Sequence, residues 1–166
     1  MYPHTNSSGH ELAADAIHAA SQEHAPLVRN WDFDLGGPLF DDGSSFCIDK
    51  GNVETAMADG VGNRASIEEQ TREILALEAV PIMIGGNCSV PIPFFVAFAE
   101  HGPIWILQIN AHIDWHEDLD GERYDFSSPM RRASEIPHVA WIVQVGIRSV
   151  GSAGAADVES AAIFQA

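Results

Sequence analysis

Apolar and polar residues alternate in blocks along the chain, and the spacing within each block predicts an alternation of helices and strands. Helical spacing of apolar residues predicts helices over residues 11–24, 66–79, 94–99 and 155–164. Apolar runs predict strands over residues 45–48, 80–84, 104–109 and 141–147. Ser66 followed by Glu69 fits a capping box at the start of the second helix. Residues 59–63, Asp-Gly-Val-Gly-Asn, are predicted to be a flexible connection.

This order of elements predicts an α/β protein with a mainly parallel sheet, because strands that alternate with helices form βαβ units. The length of 166 residues allows a real core, and we predict a single domain over residues 1–166. Functional sites in such folds lie beyond the carboxyl ends of strands. The segments that follow Ile84 and Ile109 are therefore the places where we expect a site.

The chain carries 24 acidic against 8 basic residues, a formal net charge of −16. Nucleic acid and anionic membrane surfaces repel such a protein, so we expect neither as a partner. The hydrophobic fraction of 46% excludes a disordered chain, and no apolar run reaches the ~18 residues that span a bilayer. Two cysteines, Cys47 and Cys88, are too few for a disulfide framework, which predicts a reduced, cytoplasmic setting.

The segment after Ile109 contains four side chains that can bind a metal: Asn110, His112, Asp114 and His116. In extended backbone the side chains of the first three lie on the same side, because side chains alternate with period two. Oxygen and nitrogen donors of this kind suit Mn, Zn, Ni or Fe. The alternative is an acidic loop with solvated histidines, since a short His-x-Asp pattern also occurs by chance.

The segment after Ile84 is Gly-Gly-Asn-Cys-Ser, residues 85–89, in which two glycines allow a sharp turn or a close approach to a ligand. Cys88 is a possible thiolate ligand or nucleophile. A buried structural cysteine is the commoner case. A cysteine hydrolase would also need a nearby base, and although His112 could serve after folding, nothing in the sequence fixes that pair.

Together these two segments resemble motifs of the ureohydrolase family of arginases and agmatinases. That family carries Gly-Gly-Asp-His-Ser and then Asp-Ala-His-x-Asp, where this chain has Gly-Gly-Asn-Cys-Ser at residues 85–89 and Asn-Ala-His-Ile-Asp at residues 110–114. Residues 49–53 and 143–148 also resemble family segments. The resemblance spans nearly the whole chain, and residues 31–38 favour an agmatinase-like branch.

The resemblance implies a three-layer α/β/α fold and the metal-dependent hydrolysis of a small guanidino compound, such as agmatine, to urea and an amine. It also implies two Mn²⁺ ions bridged by hydroxide, with Ni²⁺ or Zn²⁺ as alternatives, and a homo-oligomer. Two cations lower the pKa of a shared water, so that hydroxide is available at neutral pH. Carried over position by position, the family's metal ligands fall on Cys88, Asn110, His112 and Asp114.

Five positions depart from the family pattern: Asn52 and Asn87 stand where the family has aspartate, and the other three are Asn110, Cys88 and Phe126. Asn110 places a neutral amide where the family has a carboxylate that bridges both metals. Cys88 replaces a histidine with a softer ligand, which shifts the preference from Mn toward Zn. Phe126 stands where many members have a histidine, and a phenyl ring cannot shuttle a proton.

The family's later Asp-x-Asp strand end and its glutamate nearer the C-terminus have no counterpart after Gly154. We therefore expect the chain to correspond to the front part of a longer domain, with an incomplete sheet. One alternative function is that of a catalytically inactive or truncated ureohydrolase relative that acts as a binding module or partner subunit. A Cys88-dependent hydrolase is the other.

Overall fold

The computed structural model describes residues 10–40, 46–56, 59–149 and 163–165. The chain divides into two compact units, Met1–Asn52 and Val53–Ala166. No helix of the described ranges is both long and apolar enough to cross a bilayer. The single domain over residues 1–166 stays a prediction.

The first unit is built on helix α1 (His10–His24), which confirms the helix predicted over residues 11–24. A 3₁₀ helix (Ala25–Arg29) follows α1. Two short strands, β1 (Trp31–Asp32) and β2 (Gly37–Pro38), then pair antiparallel.

The strand predicted over residues 45–48 is wrong for its described part, residues 46–48, which form no regular element. Phe46 and Ile48 are both exposed, so the apolar residues of this run have no layer to pack against. The segment that follows is held by side chains instead. The Nε2 atom of His18 lies 3.3 Å from an oxygen of Asp49, and the Asn52 amide donates to Asp15 at 2.7 Å.

The second unit combines helices with a parallel three-stranded sheet, as the α/β prediction requires. Its elements are α2 (Gly60–Ala76), α3 (Pro91–Val96), a 3₁₀ helix (Ala97–Glu100), β3 (Ile104–Ile109), α4 (Pro129–Ser134), β4 (Val139–Val145) and β5 (Ile163–Gln165). The strand order is β3-β4-β5, and both pairs are parallel. In the register of the first pair, Gln108 lies opposite Gln144.

The core lies on one face of this sheet. Strands β3 and β4, helix α4 and the segment after β3 supply its buried side chains: Ile106, Ile113, Trp115, Met130, Ala133 and Ile142. Phe95 of α3 packs against this cluster. Because the core joins the sheet to α3 and α4, it fixes the carboxyl end of β3, where the sequence places the candidate ligands.

The opposite face of β3 is apolar and open to solvent. Trp105, Leu107 and Ile109 are 72%, 64% and 79% exposed, and Trp141 of β4 lies beside Trp105 with ring centroids 6.2 Å apart. Parallel sheets are normally covered on both faces. The described part of the chain covers only one.

We expect the isolated chain to self-associate through this open face, because association removes the large apolar side chains from water. Salt should strengthen the association by screening the repulsion between chains of charge −16. Leu107→Glu should weaken it roughly 10- to 100-fold, since burying one leucine contributes ~1.5–3 kcal/mol. Leu12→Glu, at an exposed leucine of α1, is the matched control in sedimentation velocity. A monodisperse monomer with a cooperative melt would contradict the prediction.

Helix α2 begins six residues before the predicted start at Ser66, so the flexible connection over residues 59–63 is wrong. The Asp59 side chain caps the helix by accepting a hydrogen bond from the Gly62 amide at 2.8 Å. Asn63 then pairs with both backbone groups of Ala56, at 2.7 and 2.8 Å. These side-chain bonds hold a Gly-containing segment in the helix despite its low helix propensity.

Helix α2 ends at Ala76 rather than residue 79. Glu78 adopts a φ of 56°, in the left-handed region that a helix cannot continue through. The predicted strand over residues 141–147 instead spans Val139–Val145, and Gly146 with a φ of 85° follows its last residue. Boundaries of this kind depend on single backbone angles that the apolar pattern does not encode.

The strand predicted over residues 80–84 is wrong, because these residues form no regular element and pair with no strand in the described part of the chain. Val80, Ile82 and Ile84 are largely exposed. An apolar run becomes a strand only where a neighbouring strand accepts its backbone hydrogen bonds.

Of the helix predicted over residues 155–164, residues 155–162 lie outside the described ranges. Residues 163–164 form part of β5 instead, because they pair with the open edge of β4.

Candidate metal centre

A tight turn after residue 84 carries Cys88. The Asn87 side chain accepts a hydrogen bond from the Ser89 amide at 2.9 Å, and helix α3 begins at Pro91. A Cβ atom at Gly85 would lie 3.0 Å from the Val90 side chain, so the turn leaves little room for any other residue there. Cys88 is a free, exposed cysteine on this turn.

Asp114 lies in the segment that follows β3 and is only 7% exposed. Its φ of 53° is left-handed, a conformation that aspartate tolerates better than most residues. Its backbone carbonyl accepts hydrogen bonds from the amides of Met130 and Arg131, at 3.1 and 3.3 Å. The start of α4 therefore fixes the backbone from which the carboxylate projects.

Two side-chain amides donate to the same oxygen of the Asp114 carboxylate. Gln108 Nε2 and Asn110 Nδ2 each lie 2.6 Å from Oδ2. The Asn110 oxygen accepts from the backbone amides of Ala111 and His112, at 2.7 and 3.3 Å. The Asn110 side chain thus has a partner at both ends.

The structure brings three of the four predicted ligands to one groove. Cys88, Asn110 and Asp114 line a groove of about 530 Å³ whose remaining lining is largely apolar. His112 is exposed and is not part of that lining, although its backbone forms a parallel bridge with Ser149. Within the described ranges, no three His, Cys, Asp or Glu side chains are grouped closely enough to hold a metal among themselves.

Desolvation disfavours negative charge at Asp114, which is buried, and also at Cys88, which is exposed but partly shielded from water in the groove. Desolvation raises the pKa of the Asp114 carboxyl, and the Gln108 and Asn110 hydrogen bonds and the charge of His112 only partly offset it. Desolvation also raises the pKa of the Cys88 thiol, and the negative charge of Asp114 raises it further. The two groups are close enough to repel each other when ionised, and a cation between them would reverse both effects.

An ion-pair cluster ties the segment beyond Asp114 to helix α4. Glu117 pairs with Arg123, Arg131 and Arg132 at 3.0, 3.1 and 3.2 Å, and the Arg132 side chain is only 2% exposed. Desolvation raises the pKa of Glu117, but the hydrogen bond from Arg132 and the charges of the three arginines lower it more, so it lies below its usual value. Arg132 and Arg123 also pair with Glu135.

Two residues of the site, Gln108 and Gln144, were not predicted from the sequence. Both occupy inward-facing positions of strands that are otherwise apolar, and Gln144 is fully buried. A polar residue repeated at the same register of two predicted buried strands is the signal that could have identified them.

His116, which the sequence offers as a possible metal ligand, is half-buried, and its backbone amide donates to the Ser127 carbonyl at 3.1 Å.

Comparison with known proteins agrees with the motif resemblance. Residues 3–165 match the model of the arginase family. The mitochondrial agmatinase of Gallus gallus is 29% identical over 147 residues, which is 87% of this chain and 42% of that protein. The mitochondrial guanidino acid hydrolase of Homo sapiens is 30% identical over 63% of this chain and 31% of its own.

A solved structure gives the same assignment. The agmatine ureohydrolase of Thermoplasma volcanium aligns with a TM-score of 0.67 at 25% identity, over 86% of this chain and 45% of that one. The chain thus spans less than half the length of each of these three relatives. The family model, the identities and the shared α/β fold agree, and the chain belongs to the arginase family, the ureohydrolases.

Proposed function

We propose that this protein is a ureohydrolase that hydrolyses a guanidino compound to urea and an amine, using a divalent cation held at Asp114. The observation that carries the proposal is the Asp114 carboxylate, which lies in the family motif and is buried. Its hydrogen-bond donors in the described part of the chain, Gln108 and Asn110, are both neutral amides. A buried carboxylate whose hydrogen-bond donors carry no charge is costly, and a metal ion would supply a positive charge in contact with it.

The donors present fit one cation at Asp114 and Cys88. Both side chains line the same groove, and the positive charge of an ion would offset the desolvation of their charged forms and their mutual repulsion. A thiolate ligand favours Zn²⁺ over Mn²⁺, so Zn²⁺ is the ion that we expect to bind most tightly. His112 is exposed and does not line the groove, and the described residues bring no third His, Cys, Asp or Glu side chain to this pair, so His112 as a ligand stays a prediction.

A second ion bridged through residue 110 does not fit these donors. Asn110 is neutral, its nitrogen faces Asp114, and its oxygen accepts two backbone hydrogen bonds. Asn110 in this orientation supplies neither the charge nor a free oxygen to an ion. The described residues therefore provide ligands for one ion, while the two Mn²⁺ ions that the resemblance implies stay a prediction.

Each protein group has a separate task in the proposed reaction. A bound cation would lower the pKa of a water and supply hydroxide for attack on the guanidinium carbon. Gln108 and Asn110 hold the Asp114 carboxylate, so that it need not reorganise when the ion arrives. The net charge of −16 attracts a cationic guanidinium group.

Agmatine is the first substrate that we propose, because the agmatinase of Gallus gallus is similar over most of this chain. A guanidino acid is the second, because the human relative is a guanidino acid hydrolase. We further propose a homo-oligomer and a cytoplasmic location, with neither nucleic acid nor membrane as a partner. The open face of β3 supports the oligomer, since it offers an apolar surface for association.

The test is urea release by the purified protein with saturating Zn²⁺, Mn²⁺ or Ni²⁺ and either agmatine or 4-guanidinobutyrate. We expect metal-dependent urea from one of the two substrates, and its loss in Asp114→Asn. Asp120→Asn, at an exposed aspartate that also has a positive φ, is the matched control and should retain activity. A folded protein that releases no urea with any of the three ions would overturn the proposal.

A further inference from the structure

We propose that Gln108 and Gln144 form an amide relay that sets the direction of the Asp114 carboxylate. In this relay Gln144 orients Gln108, and Gln108 orients Asp114. Both glutamines are positioning residues, since neither is a proposed ligand. The consequence for metal binding rests on the proposed function, whereas the relay itself rests only on the hydrogen bonds of the described residues.

The relay begins at Gln144, which is fully buried and lies opposite Gln108 in the register of β3 and β4. Its Nε2 group donates to the Gln108 oxygen, and it also donates to the backbone carbonyl of Ile113 at 2.8 Å. The Ile113 carbonyl can only accept, so it fixes which end of the Gln144 amide is the nitrogen. Gln108 must then present its oxygen to Gln144.

The second step follows from the chemistry of a primary amide, which has one oxygen and one nitrogen. Because the Gln108 oxygen faces Gln144, its nitrogen faces Asp114 and donates to Oδ2 at 2.6 Å. Asn110 donates to the same oxygen, and backbone amides fix the Asn110 orientation as well. Two oriented donors on Oδ2 leave Oδ1 as the carboxylate oxygen available to a cation in the described part of the chain.

The relay also leaves the charge of Asp114 intact. An amide donates a hydrogen bond without supplying a positive charge, so it fixes the direction of the carboxylate without neutralising it. An arginine in the same place would do both and would compete with a metal ion. Groups that hydrogen-bond to a metal ligand orient that ligand while preserving its affinity for the ion.

Burial of these polar groups is difficult to explain by packing alone. Gln144 is fully buried, and its own oxygen has no hydrogen-bond partner in the described ranges. A buried, unsatisfied oxygen destabilises a fold, and leucine would fill a similar volume without that penalty. The presence of Gln108 and Gln144 at inward-facing positions is therefore explained by their orientation of the Asp114 carboxylate.

Zinc affinity, measured by competition with a chromophoric chelator, tests the relay. We expect Gln108→Leu and Gln144→Leu each to weaken Zn²⁺ binding roughly 10- to 100-fold, the usual effect of losing an outer-shell partner. The double variant should be no weaker than Gln108→Leu alone, because Gln144 acts through Gln108. Gln108→His should restore most of the affinity, since a neutral imidazole offers one acceptor and one donor nitrogen.

Gln70→Leu, at a half-buried glutamine of α2, is the matched control and should bind Zn²⁺ like the unmodified protein. A purely structural role would lower the unfolding midpoint of the metal-free glutamine variants and leave zinc affinity unchanged. That result, or additive losses in the double variant, would overturn the relay.

The failure of the proposed function is distinguishable from the failure of the relay. If the unmodified protein binds no zinc, the proposed function fails, and the relay is decided by NMR of the metal-free protein. The side-chain NH₂ resonances of Gln108 should then move in both Asp114→Asn and Gln144→Leu. Unmoved Gln108 resonances in either variant would overturn the relay.

Discussion

Replacing Asn110 with aspartate is expected to destabilise the metal-free protein and to strengthen its binding of a divalent cation. The substitution exchanges an N–H donor, 2.6 Å from the Asp114 carboxylate, for a second negative charge. A hydrogen bond to a charged group contributes ~1.5–3 kcal/mol, and like-charge repulsion adds to its loss. We expect a loss of about 2–4 kcal/mol, which corresponds to a fall in Tm of roughly 6–12 °C for a chain of this size.

A bound cation would make Asn110→Asp stabilising rather than destabilising, because the cation is attracted by both carboxylates. The metal-induced rise in Tm should therefore be larger in Asn110→Asp than in the unmodified protein, with zinc affinity at least about tenfold higher. Asn30→Asp, at an exposed asparagine outside the site, adds the same charge and should change neither quantity. An Asn110→Asp protein that is as stable as the original in chelator would show that residue 110 does not face Asp114.

Replacing Asp114 with alanine is expected to have the second large effect. It removes the carboxylate oxygen that accepts hydrogen bonds from both Gln108 and Asn110, so each of the two amide nitrogens loses its hydrogen bond to residue 114. It also places alanine at a φ of 53°, which costs ~1–2 kcal/mol. With ~1–3 kcal/mol for the unsatisfied donors, the total loss should be about 2–5 kcal/mol, measured by urea denaturation.

Two variants separate the causes of that loss. Asp120→Ala tests the backbone strain alone, because Asp120 is exposed and has a φ of 54°. It should cost only the ~1–2 kcal/mol of the strain. Asp114→Asn keeps a residue that tolerates this φ and retains an oxygen acceptor, so it should be milder than Asp114→Ala. Equal losses in Asp114→Ala and Asp120→Ala would mean that the two amides contribute nothing.

The apolar pattern predicts those elements whose stability comes from their own residues and one packed layer. Helix α1 and strand β3 are clear examples, because helical spacing and a continuous apolar run identify them without knowledge of their neighbours. Residues 80–84 have an equally apolar run and form no strand. The difference lies in pairing, since β3 has β4 as a partner and residues 80–84 have none in the described part of the chain.

The candidate site was predictable only where its residues belong to local motifs. Cys88, Asn110 and Asp114 do meet at one groove, as the two strand-end segments suggested. Period-two alternation would place His112 beside Asn110 and Asp114, but the chain leaves the extended conformation after β3 and reaches a positive φ at Asp114, so His112 is exposed.

The orientation of Asn110 could not be predicted from its type. An asparagine can present either an oxygen or a nitrogen, and the backbone amides of Ala111 and His112 decide between them. Gln144 reaches the site from β4, more than thirty residues away in sequence. Such a contact follows from strand register, which a single sequence does not specify.

The most direct test of the central claim, that Asp114 holds a divalent cation, is the zinc content of the protein after dialysis against limiting Zn²⁺. Calorimetric titration of the same samples gives the affinity. We predict one zinc per chain, lost in Asp114→Asn and retained in Asp120→Asn. A protein that binds no zinc, or an Asp114→Asn variant that binds it as tightly as the original, would contradict the claim.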